Sequence, residues 1–113
     1  MENTYADFAL LFKALSDETR LKIIDMLSCG ELCACDILKH LHITQPTLSY
    51  HMKMLSECGI VNADRQGAWM HYTLNGTTAK SISEFWKLLS NNKGNCICHS
   101  CCEQQESGCK SEN

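Results

Sequence analysis

The sequence contains few of the residues that separate domains. Its 113 residues include one proline, Pro46, and no stretch rich in glycine and serine interrupts residues 1–90. It also lacks a run of about 18 apolar residues, so a membrane-spanning helix is not expected. The first residues carry two acids and no basic segment, which argues against a secretory signal and favours a cytoplasmic protein. We therefore expect one domain, residues 1–91, followed by a flexible, cysteine-rich tail, residues 92–113.

The sequence also has little excess of charge of either sign. Ten Lys and Arg residues stand against thirteen Asp and Glu residues, and the formal net charge is −3. This balance excludes a strongly basic coat that binds nucleic acid without sequence preference, but it is compatible with a local binding surface. The segment from Lys39 to Tyr72 is a candidate for such a surface, because it holds three basic residues, two acids and four of the five histidines.

Cysteine, by contrast, is abundant, with nine residues in 113. In a reducing cytosol disulfides are rare, and clustered thiols more often bind metal or respond to redox chemistry. Cys33 and Cys35 form a C-A-C pair, whereas Cys29 and Cys58 stand alone and are predicted to pack as small apolar residues. The remaining five lie in the tail: Cys96, Cys98, Cys101, Cys102 and Cys109.

Hydrophobic periodicity predicts a mainly α-helical chain with one β-hairpin. The second helix is expected to be capped by Asp17 or Ser16, and the fourth by Thr44 with Pro46 in its first turn. The predicted helices span residues 4–15, about 18–27, 34–41 and 45–57, followed by strands 60–64 and 68–74 and a last helix 78–89. This order of elements is that of a winged helix-turn-helix.

Three segments carry a resemblance to a known family. The longest is E-L-C-A-C-D-I-L-K-H-L-H-I-T-Q-P-T-L-S-Y-H-M-K-M-L, residues 31–55. It is flanked by D-E-T-R-L-K-I-I-D-M-L, residues 17–27, and by G-I-V-N-A-D-R-Q-G-A-W-M-H-Y-T-L, residues 59–74. Together they resemble the ArsR/SmtB family of metal-responsive repressors, and the E-L-C-x-C-D motif is most similar to the arsenic-responsive members. The resemblance implies a homodimer that binds double-stranded operator DNA, and neither an enzyme nor a small-molecule substrate.

The predicted fourth helix carries the side chains expected to read DNA. In a helix-turn-helix, the N-terminal residues of the second helix reach base edges in the major groove, while Lys suits phosphate. The alternative is that these polar groups coat a solvated helix face. The candidates are Gln45, Thr47, Ser49, Tyr50, His51 and Lys53 on the helix, with Arg65 and Gln66 at the wing tip. The histidines are expected to face phosphate or solvent: His40, His42, His51 and His71.

The C-A-C pair is predicted at the start of the third helix, with Cys33 at the N-cap and Cys35 at the second helical position. Thiols near the positive end of a helix dipole ionise more readily, and thiolates are the ligands that soft metal ions prefer. The alternative is a weak cap beside a small buried filler. The placement of two cysteines around one alanine favours the ligand interpretation, and the family resemblance points the same way.

Helix geometry sets a condition on shared binding by this pair. On a regular helix, positions i and i+2 lie roughly 200° apart, so the two sulfurs diverge. Both can hold one ion only if the first turn is non-helical or distorts. We therefore expect binding to pull on the start of the third helix, which supports the fourth through a short turn, and so to release DNA. The required coupling free energy is about 1–3 kcal/mol.

The residues leave the inducer open. Many arsenic-sensing relatives have a third cysteine where Leu38 stands here, so a third thiolate for As(III) or Sb(III) would come from elsewhere, unless two thiolates and an exogenous ligand suffice. The last helix lacks the Asp/His pattern of zinc-sensing relatives, which favours As(III) or Sb(III) over Zn(II); Cd(II) and Pb(II) stay alternatives. The tail cysteines that offer a third ligand or a separate site are Cys96, Cys98, Cys101 and Cys102.

Two apolar stripes exceed what a small helical core needs, and they indicate a dimer interface unless they complete the core of one chain. One stripe lies near the N-terminus and the other on the last helix: Phe8, Leu11, Phe12, Phe85, Trp86 and Leu89.

Other functions are compatible with the same residues. A thiol redox or persulfide sensor on the same scaffold would release DNA through a disulfide instead of a metal. A metal-buffering protein would use the tail as its working part. An enzyme is disfavoured, because no Ser/His/Asp grouping, phosphate-binding loop or acidic pair is visible, and the C-A-C pair lacks a βαβ context.

Overall fold

The structure of the chain, a computed structural model, describes residues 4–91, 94 and 96–98. Its elements are α1 (Tyr5–Leu15), α2 (Glu18–Leu27), β1 (Leu32–Cys33), α3 (Ala34–His40), α4 (Gln45–Glu57), β2 (Val61–Gln66), β3 (Trp69–Leu74) and α5 (Gly76–Ser90). The mainly α-helical, winged architecture predicted from the sequence is confirmed. None of these helices has the length and apolar character that crossing a membrane requires.

Side-chain caps fix the starts of the first two helices. Thr4 and Asp7 form a capping box, in which the Thr4 hydroxyl accepts from the Asp7 N–H at 3.2 Å and the Asp7 carboxylate accepts from the Thr4 N–H at 2.9 Å. Asp17, one of the two predicted caps, begins α2 by accepting from the Arg20 N–H at 3.0 Å. Each such cap stabilises its helix by about 1 kcal/mol.

The last helix begins two residues earlier than predicted. The Oδ1 atom of Asn75 accepts from the backbone N–H groups of Thr77 at 3.0 Å and Thr78 at 3.3 Å. These two donors would otherwise lack a partner at a helix start. The predicted start relied on apolar spacing, which carries no information about a polar cap outside the apolar stripe.

The three strands form an antiparallel sheet in the order β1-β3-β2. β2 and β3 are the predicted hairpin, and Gly67 forms its turn with a φ of +66°, a conformation that favours glycine. β1 was not predicted, because a strand of two residues is too short to show alternation. Its pairing with β3 places Cys33 directly opposite His71.

The described residues up to Ile82 form a compact unit with its own core. α1 packs against α2, and both α2 and α3 pack against α4. Burying a large aliphatic side chain stabilises the fold by about 1.5–3 kcal/mol relative to leaving it exposed. The core therefore fixes α4 against α2 and α3, and its most buried side chains are Ile23, Ile37, Leu48, Met52 and Leu55.

Two residues predicted at a dimer interface lie in this core instead. Phe8 is 8% exposed and Leu11 is 5% exposed. That prediction is wrong for both residues, because their side chains are already covered within one chain as α1 packs against α2. Phe12, one turn after Phe8, stays on the outer side of α1 at 38% exposed.

The described residues after Ile82 belong to a second unit, so the division falls within α5. Trp86 is 62% exposed and Leu89 is 46% exposed on this part of the helix, while Phe85 is half-buried. The predicted boundary after residue 91 stays a prediction. The tail cysteines Cys101 and Cys102 lie outside the described residues.

Candidate DNA interface and cysteine site

The N-terminus of α4 has the properties of a phosphate-binding helix end. Thr44 is the predicted cap: its hydroxyl accepts from the Thr47 N–H at 3.3 Å and donates to the Thr47 hydroxyl at 3.0 Å. Pro46 lies in the first turn, where its missing N–H costs no hydrogen bond. The positive end of the helix dipole attracts anions to this end.

α4 turns one side to the core and presents the opposite side to solvent. Leu48, Met52 and Leu55 are buried. Five of the six predicted DNA-reading residues are exposed on the other side, and we call them the recognition face: Gln45, Thr47, Ser49, Tyr50 and Lys53. A helix packed along one side with a polar N-terminal half on the other matches the geometry of a recognition helix.

The sixth predicted reader, His51, is buried at 9% exposed, so the prediction that its ring faces solvent or DNA is wrong. An Arg20 guanidinium N–H donates to His51 Nδ1 across 3.0 Å, and Arg20 Nε donates to the carbonyl of Ala14 across 2.7 Å. The carboxylate of Asp17 lies 4.0 Å from the same ring nitrogen. Since a guanidinium can only donate, Nδ1 accepts and the ring proton is on Nε2.

The sequence contained a signal for this burial. His51 lies three residues after Leu48 and four before Leu55, which is the spacing of the apolar stripe of α4. The prediction placed His51 on the DNA side because its side chain is polar, although its spacing is that of the buried side. The buried contact ties α4 to α2 and to the end of α1, so His51 supports the recognition face from behind.

The wing carries the predicted contacts Arg65 and Gln66 at the end of β2, and both are exposed. The amide of Gln66 donates to Glu31 at 3.4 Å and to Asp64 at 3.1 Å. His71, predicted to face phosphate or solvent, is half-buried and donates from Nδ1 to the same Glu31 carboxylate at 2.9 Å. Sequence analysis missed Glu31, because nothing in the spacing of a loop acid indicates a partner forty residues away.

The cysteine pair lies at the predicted positions. Cys33 is the N-cap of α3: its sulfur accepts from the Asp36 N–H at 3.3 Å, and the Asp36 carboxylate accepts from the Cys33 N–H at 3.2 Å. This is a capping box in which a sulfur replaces the usual hydroxyl oxygen. Cys35 is the second residue of the helix.

The two sulfurs converge without any distortion of α3. Cys33 has extended backbone angles, φ −85° and ψ 162°, because it lies outside the helix at the end of β1. The Sγ atoms of Cys33 and Cys35 are joined as a disulfide, with the Cα atoms 5.3 Å apart. Of the two conditions set by helix geometry, the non-helical first residue is therefore the one that holds, and binding need not pull the helix apart.

This corner of the fold suits a thiophilic ion. One ligand atom each from Cys33, Cys35 and Asp36 lies within 4.8 Å of the other two, and all three residues are half-buried. Reduction of the disulfide gives two soft thiolate ligands beside one carboxylate oxygen. That donor set fits ions that prefer sulfur, and it fits Mg(II) or Ca(II) poorly.

The other described cysteines differ from this pair. Cys96 and Cys98 have their sulfurs 3.1 Å apart, and both residues are exposed. Cys58 is half-buried, as predicted for a packing residue, and its thiol donates to the carbonyl of Leu55. Cys29 is exposed, so the packing predicted for it is wrong.

Two titratable side chains respond to their surroundings. The backbone N–H of Arg20 holds the pKa of Asp17 below its usual 3.8, with the charge of the Arg20 side chain acting in the same direction against a desolvation effect. Burial raises the pKa of Tyr72 above its usual 10.0, and nearby Arg65 opposes this rise. Tyr72 therefore stays neutral in the middle strand of the sheet.

Comparisons with known proteins agree with this geometry. The family described as "Bacterial regulatory protein, arsR family" matches residues 17–63. The chain is 40% identical over 95 residues to the arsenical resistance operon repressor of Staphylococcus aureus, covering 84% of this chain and 91% of that protein. It is 39% identical over 79 residues to a cadmium resistance transcriptional regulatory protein CadC homolog of the same species, covering 69% of this chain and 65% of that protein.

Among solved structures, HlyU from Vibrio cholerae N16961 superimposes with a TM-score of 0.65 at 33% identity, covering 80% of this chain and 98% of that one. Sequence identity and fold thus lead to the same class of protein over most of the chain. The chain belongs to the ArsR family of bacterial regulatory proteins, and it is a winged-helix transcriptional repressor, a DNA-binding protein and not an enzyme.

Proposed function

We propose that this repressor leaves its operator when the thiolates of Cys33 and Cys35 coordinate As(III) or Sb(III). The observation that carries the proposal is the convergence of both sulfurs and the Asp36 carboxylate at the start of α3, the helix that packs against α4. The similarity to arsenical resistance operon repressors supports the choice of a metalloid.

The recognition face is proposed to enter the major groove of the operator. The amide of Gln45 can pair with adenine, the hydroxyls of Thr47 and Ser49 can bond either kind of base edge, and a well-formed bidentate pair discriminates by about 1–3 kcal/mol. Lys53 is proposed to contact phosphate, while Arg65 and Gln66 of the wing contact backbone or minor groove.

We infer that the repressor acts in the cytoplasm as a homodimer. Large apolar side chains are exposed on α1 and α5, and a two-fold dimer would place two recognition faces on half-sites about 34 Å apart. With Phe8 and Leu11 assigned to the core, the proposed interface consists of the exposed Phe12, Trp86 and Leu89, half-buried Phe85, and their exposed neighbours Tyr5, Leu10 and Leu88.

As(III) or Sb(III) bound by the two thiolates is proposed to take a third ligand. Leu38 is half-buried at the position of the third cysteine of many arsenic-sensing relatives, so the third ligand is proposed to come from Asp36, an exogenous ligand or a tail thiolate. The similarity to a cadmium resistance regulator keeps Cd(II) as the alternative inducer, and Pb(II) and Zn(II) accept sulfur ligands as well. The tail candidates are Cys96, Cys98, Cys101 and Cys102.

Through the capping box, binding of the inducer is expected to affect the stability of α3. The Cys33 sulfur that would coordinate the inducer also accepts from the Asp36 N–H, so a change in its bonding is expected to change a cap whose usual contribution is about 1 kcal/mol. The same order of magnitude, about 1–3 kcal/mol, is what coupling between an effector site and a DNA site requires.

Fluorescence anisotropy of the reduced protein on palindromic DNA from its own promoter tests this proposal. Arsenite is expected to release the DNA at stoichiometric concentration, and Zn(II) is not. The double variant Cys33→Ser/Cys35→Ser is expected to bind DNA and to ignore arsenite, because a serine hydroxyl preserves the cap. Cys29→Ser, an exposed cysteine outside the pair, is the matched control. Release that persists in the double variant would overturn the proposal.

The disulfide between Cys33 and Cys35 favours a second candidate function, a thiol redox or persulfide sensor. In that case oxidation of the pair replaces metal coordination as the signal. The same anisotropy assay distinguishes the two, because a redox sensor releases DNA with diamide or a persulfide donor and keeps it bound with arsenite.

A further inference from the structure

One carboxylate joins both strands of the wing to the segment before the cysteine pair. Glu31 Oε2 accepts from His71 Nδ1 on β3 at 2.9 Å and from Gln66 Nε2 at the end of β2 at 3.4 Å. Gln66 Nε2 also donates to Asp64 of its own strand at 3.1 Å. We call this set of contacts between Glu31, His71 and Gln66 the wing clasp.

The wing clasp is next to the cysteine site in the sheet. His71 lies opposite Cys33 in the pairing of β1 with β3, and opposite Asp64 in the pairing of β2 with β3. Cys33 is at once the last residue of β1, the cap of α3 and the sulfur partner of Cys35. A shift of the Cys33 backbone therefore reaches β3 through the sheet and through Glu31, which lies two residues earlier in the chain.

This connection offers a route to DNA that leaves the helices intact. The sulfurs converge while α3 stays regular, so distortion of the helix is not needed for the pair to change state. The side chain of Gln66, a proposed DNA contact, is held by Glu31 and Asp64 while the sulfurs are bonded. Its freedom to contact DNA depends on the wing clasp.

We propose that Glu31 is a positioning residue that couples the state of the Cys33–Cys35 pair to the wing. This proposal depends on the proposed function in that it takes the Cys33–Cys35 pair as the effector site. The signal then reaches DNA through β1, the wing clasp and the wing, in addition to any effect on α4.

The wing contains its own optical reporter. Trp69 begins β3 and is 38% exposed, and Trp86→Phe makes it the sole tryptophan of the full-length chain. In that background, Trp69 emission is compared between the dithiol form in dithiothreitol and the disulfide form after diamide. Diamide takes up the two electrons and two protons that the pair releases as the S–S bond forms.

We expect a difference in Trp69 emission between the two forms that disappears in Cys33→Ser/Cys35→Ser, which excludes a contribution from the tail cysteines. Glu31→Ala is expected to remove most of the difference, because it removes the acceptor shared by His71 and Gln66. Glu31→Gln keeps an acceptor oxygen and should retain most of it. Glu18→Ala is the matched control, because its carboxylate contacts only Lys22, at 3.2 Å on its own helix, in the described interactions.

Each outcome separates the coupling from the proposed inducer. An unchanged difference in Glu31→Ala, with both forms equally destabilised, would show a merely structural role and overturn the proposal. A Trp69 signal that ignores the cysteine pair in the parent would overturn it as well. If arsenite fails to release DNA while Trp69 still follows the pair through Glu31, the proposed inducer is wrong and the coupling stands.

Discussion

The chain carries the C-x-C spacing twice, and the two pairs have different surroundings. Cys33 and Cys35 are half-buried, with a capping box at the start of α3 and a sheet register that reaches the wing. Cys96 and Cys98 are exposed, with their sulfurs 3.1 Å apart. The spacing alone brings two sulfurs together in both places. What distinguishes the first pair is that Cys33 is both a helix cap and the end of a strand.

This difference separates metal binding from metal sensing. An exposed pair can hold a thiophilic ion, but the energy of binding shifts an equilibrium only if the two conformations bind the ion differently. We expect such a difference at the capping hydrogen bond from the Asp36 N–H to the Cys33 sulfur, because coordination changes the charge and the geometry of that sulfur. We therefore expect the first pair to control DNA binding and the tail pair to influence affinity for the ion.

The largest expected effect comes from replacing each cysteine pair by serines in a separate variant. Cys33→Ser/Cys35→Ser should abolish arsenite-induced release of operator DNA, measured by anisotropy. Cys96→Ser/Cys98→Ser should still release, because the helix cap and the sheet are unchanged. If the tail supplies the third thiolate, this second variant needs about tenfold or more arsenite, equivalent to about 1.4 kcal/mol.

The quadruple serine variant completes this comparison. With independent pairs, the two double variants have additive effects on arsenite affinity, whereas a shared ion makes them non-additive. Equal loss of release in both double variants would show that the surroundings of the first pair do not matter, and the comparison would fail.

A smaller effect is expected when a buried contact of the unit that contains the first pair is removed. His51→Ala leaves the Arg20 guanidinium buried with one donor unsatisfied, so urea unfolding should show a loss of about 2 kcal/mol. Lys53→Ala on the exposed side of the same helix is the control and should change stability by less than about 0.5 kcal/mol. Equal stability in the two variants would contradict the buried contact described for His51.

Much of this fold could be predicted from the sequence, because its helices and hairpin have strong local signals. Thr44, Pro46 and Gly67 mark their elements by backbone chemistry that depends little on tertiary contacts. Cys33 as an N-cap is also local, since capping involves residues only three positions apart. These features were therefore predicted at the correct positions.

The incorrect or missing predictions concern contacts between distant parts of the chain. The burial of His51 depends on Arg20, thirty-one residues earlier, and the role of Glu31 depends on His71, forty residues later. β1 could not be predicted, because two residues are too few to show the alternation of apolar and polar side chains that marks a strand. Phe8 and Leu11 show the same limit, because an apolar stripe is identical in sequence whether a partner chain or the chain's own helix covers it.

The third prediction tests the capping box at the first pair directly. Asp36→Ala removes one of the two capping hydrogen bonds and one ligand atom, and should lower stability by about 1 kcal/mol. Asp36→Asn can still accept from the Cys33 N–H and should keep most of that stability while losing the charge. Asp25→Ala, an exposed acid on α2, is the control. Thermal melts and arsenite titrations of the four proteins separate the cap from the ligand.

The smallest expected effect concerns acid and the cap of α2. The pKa of Asp17 lies below its usual 3.8 in the folded protein, chiefly because its carboxylate accepts from the Arg20 N–H. The unfolded chain therefore binds this proton first as pH falls, so the stabilisation by Asp17 is complete above pH 3.8 and is lost as pH drops through the folded pKa. Asp17→Asn keeps a capping oxygen that does not titrate, and its Tm should fall less steeply with pH below about pH 4. Equal slopes for the parent and Asp17→Asn would show that the Asp17 carboxylate does not contribute to the pH dependence of stability.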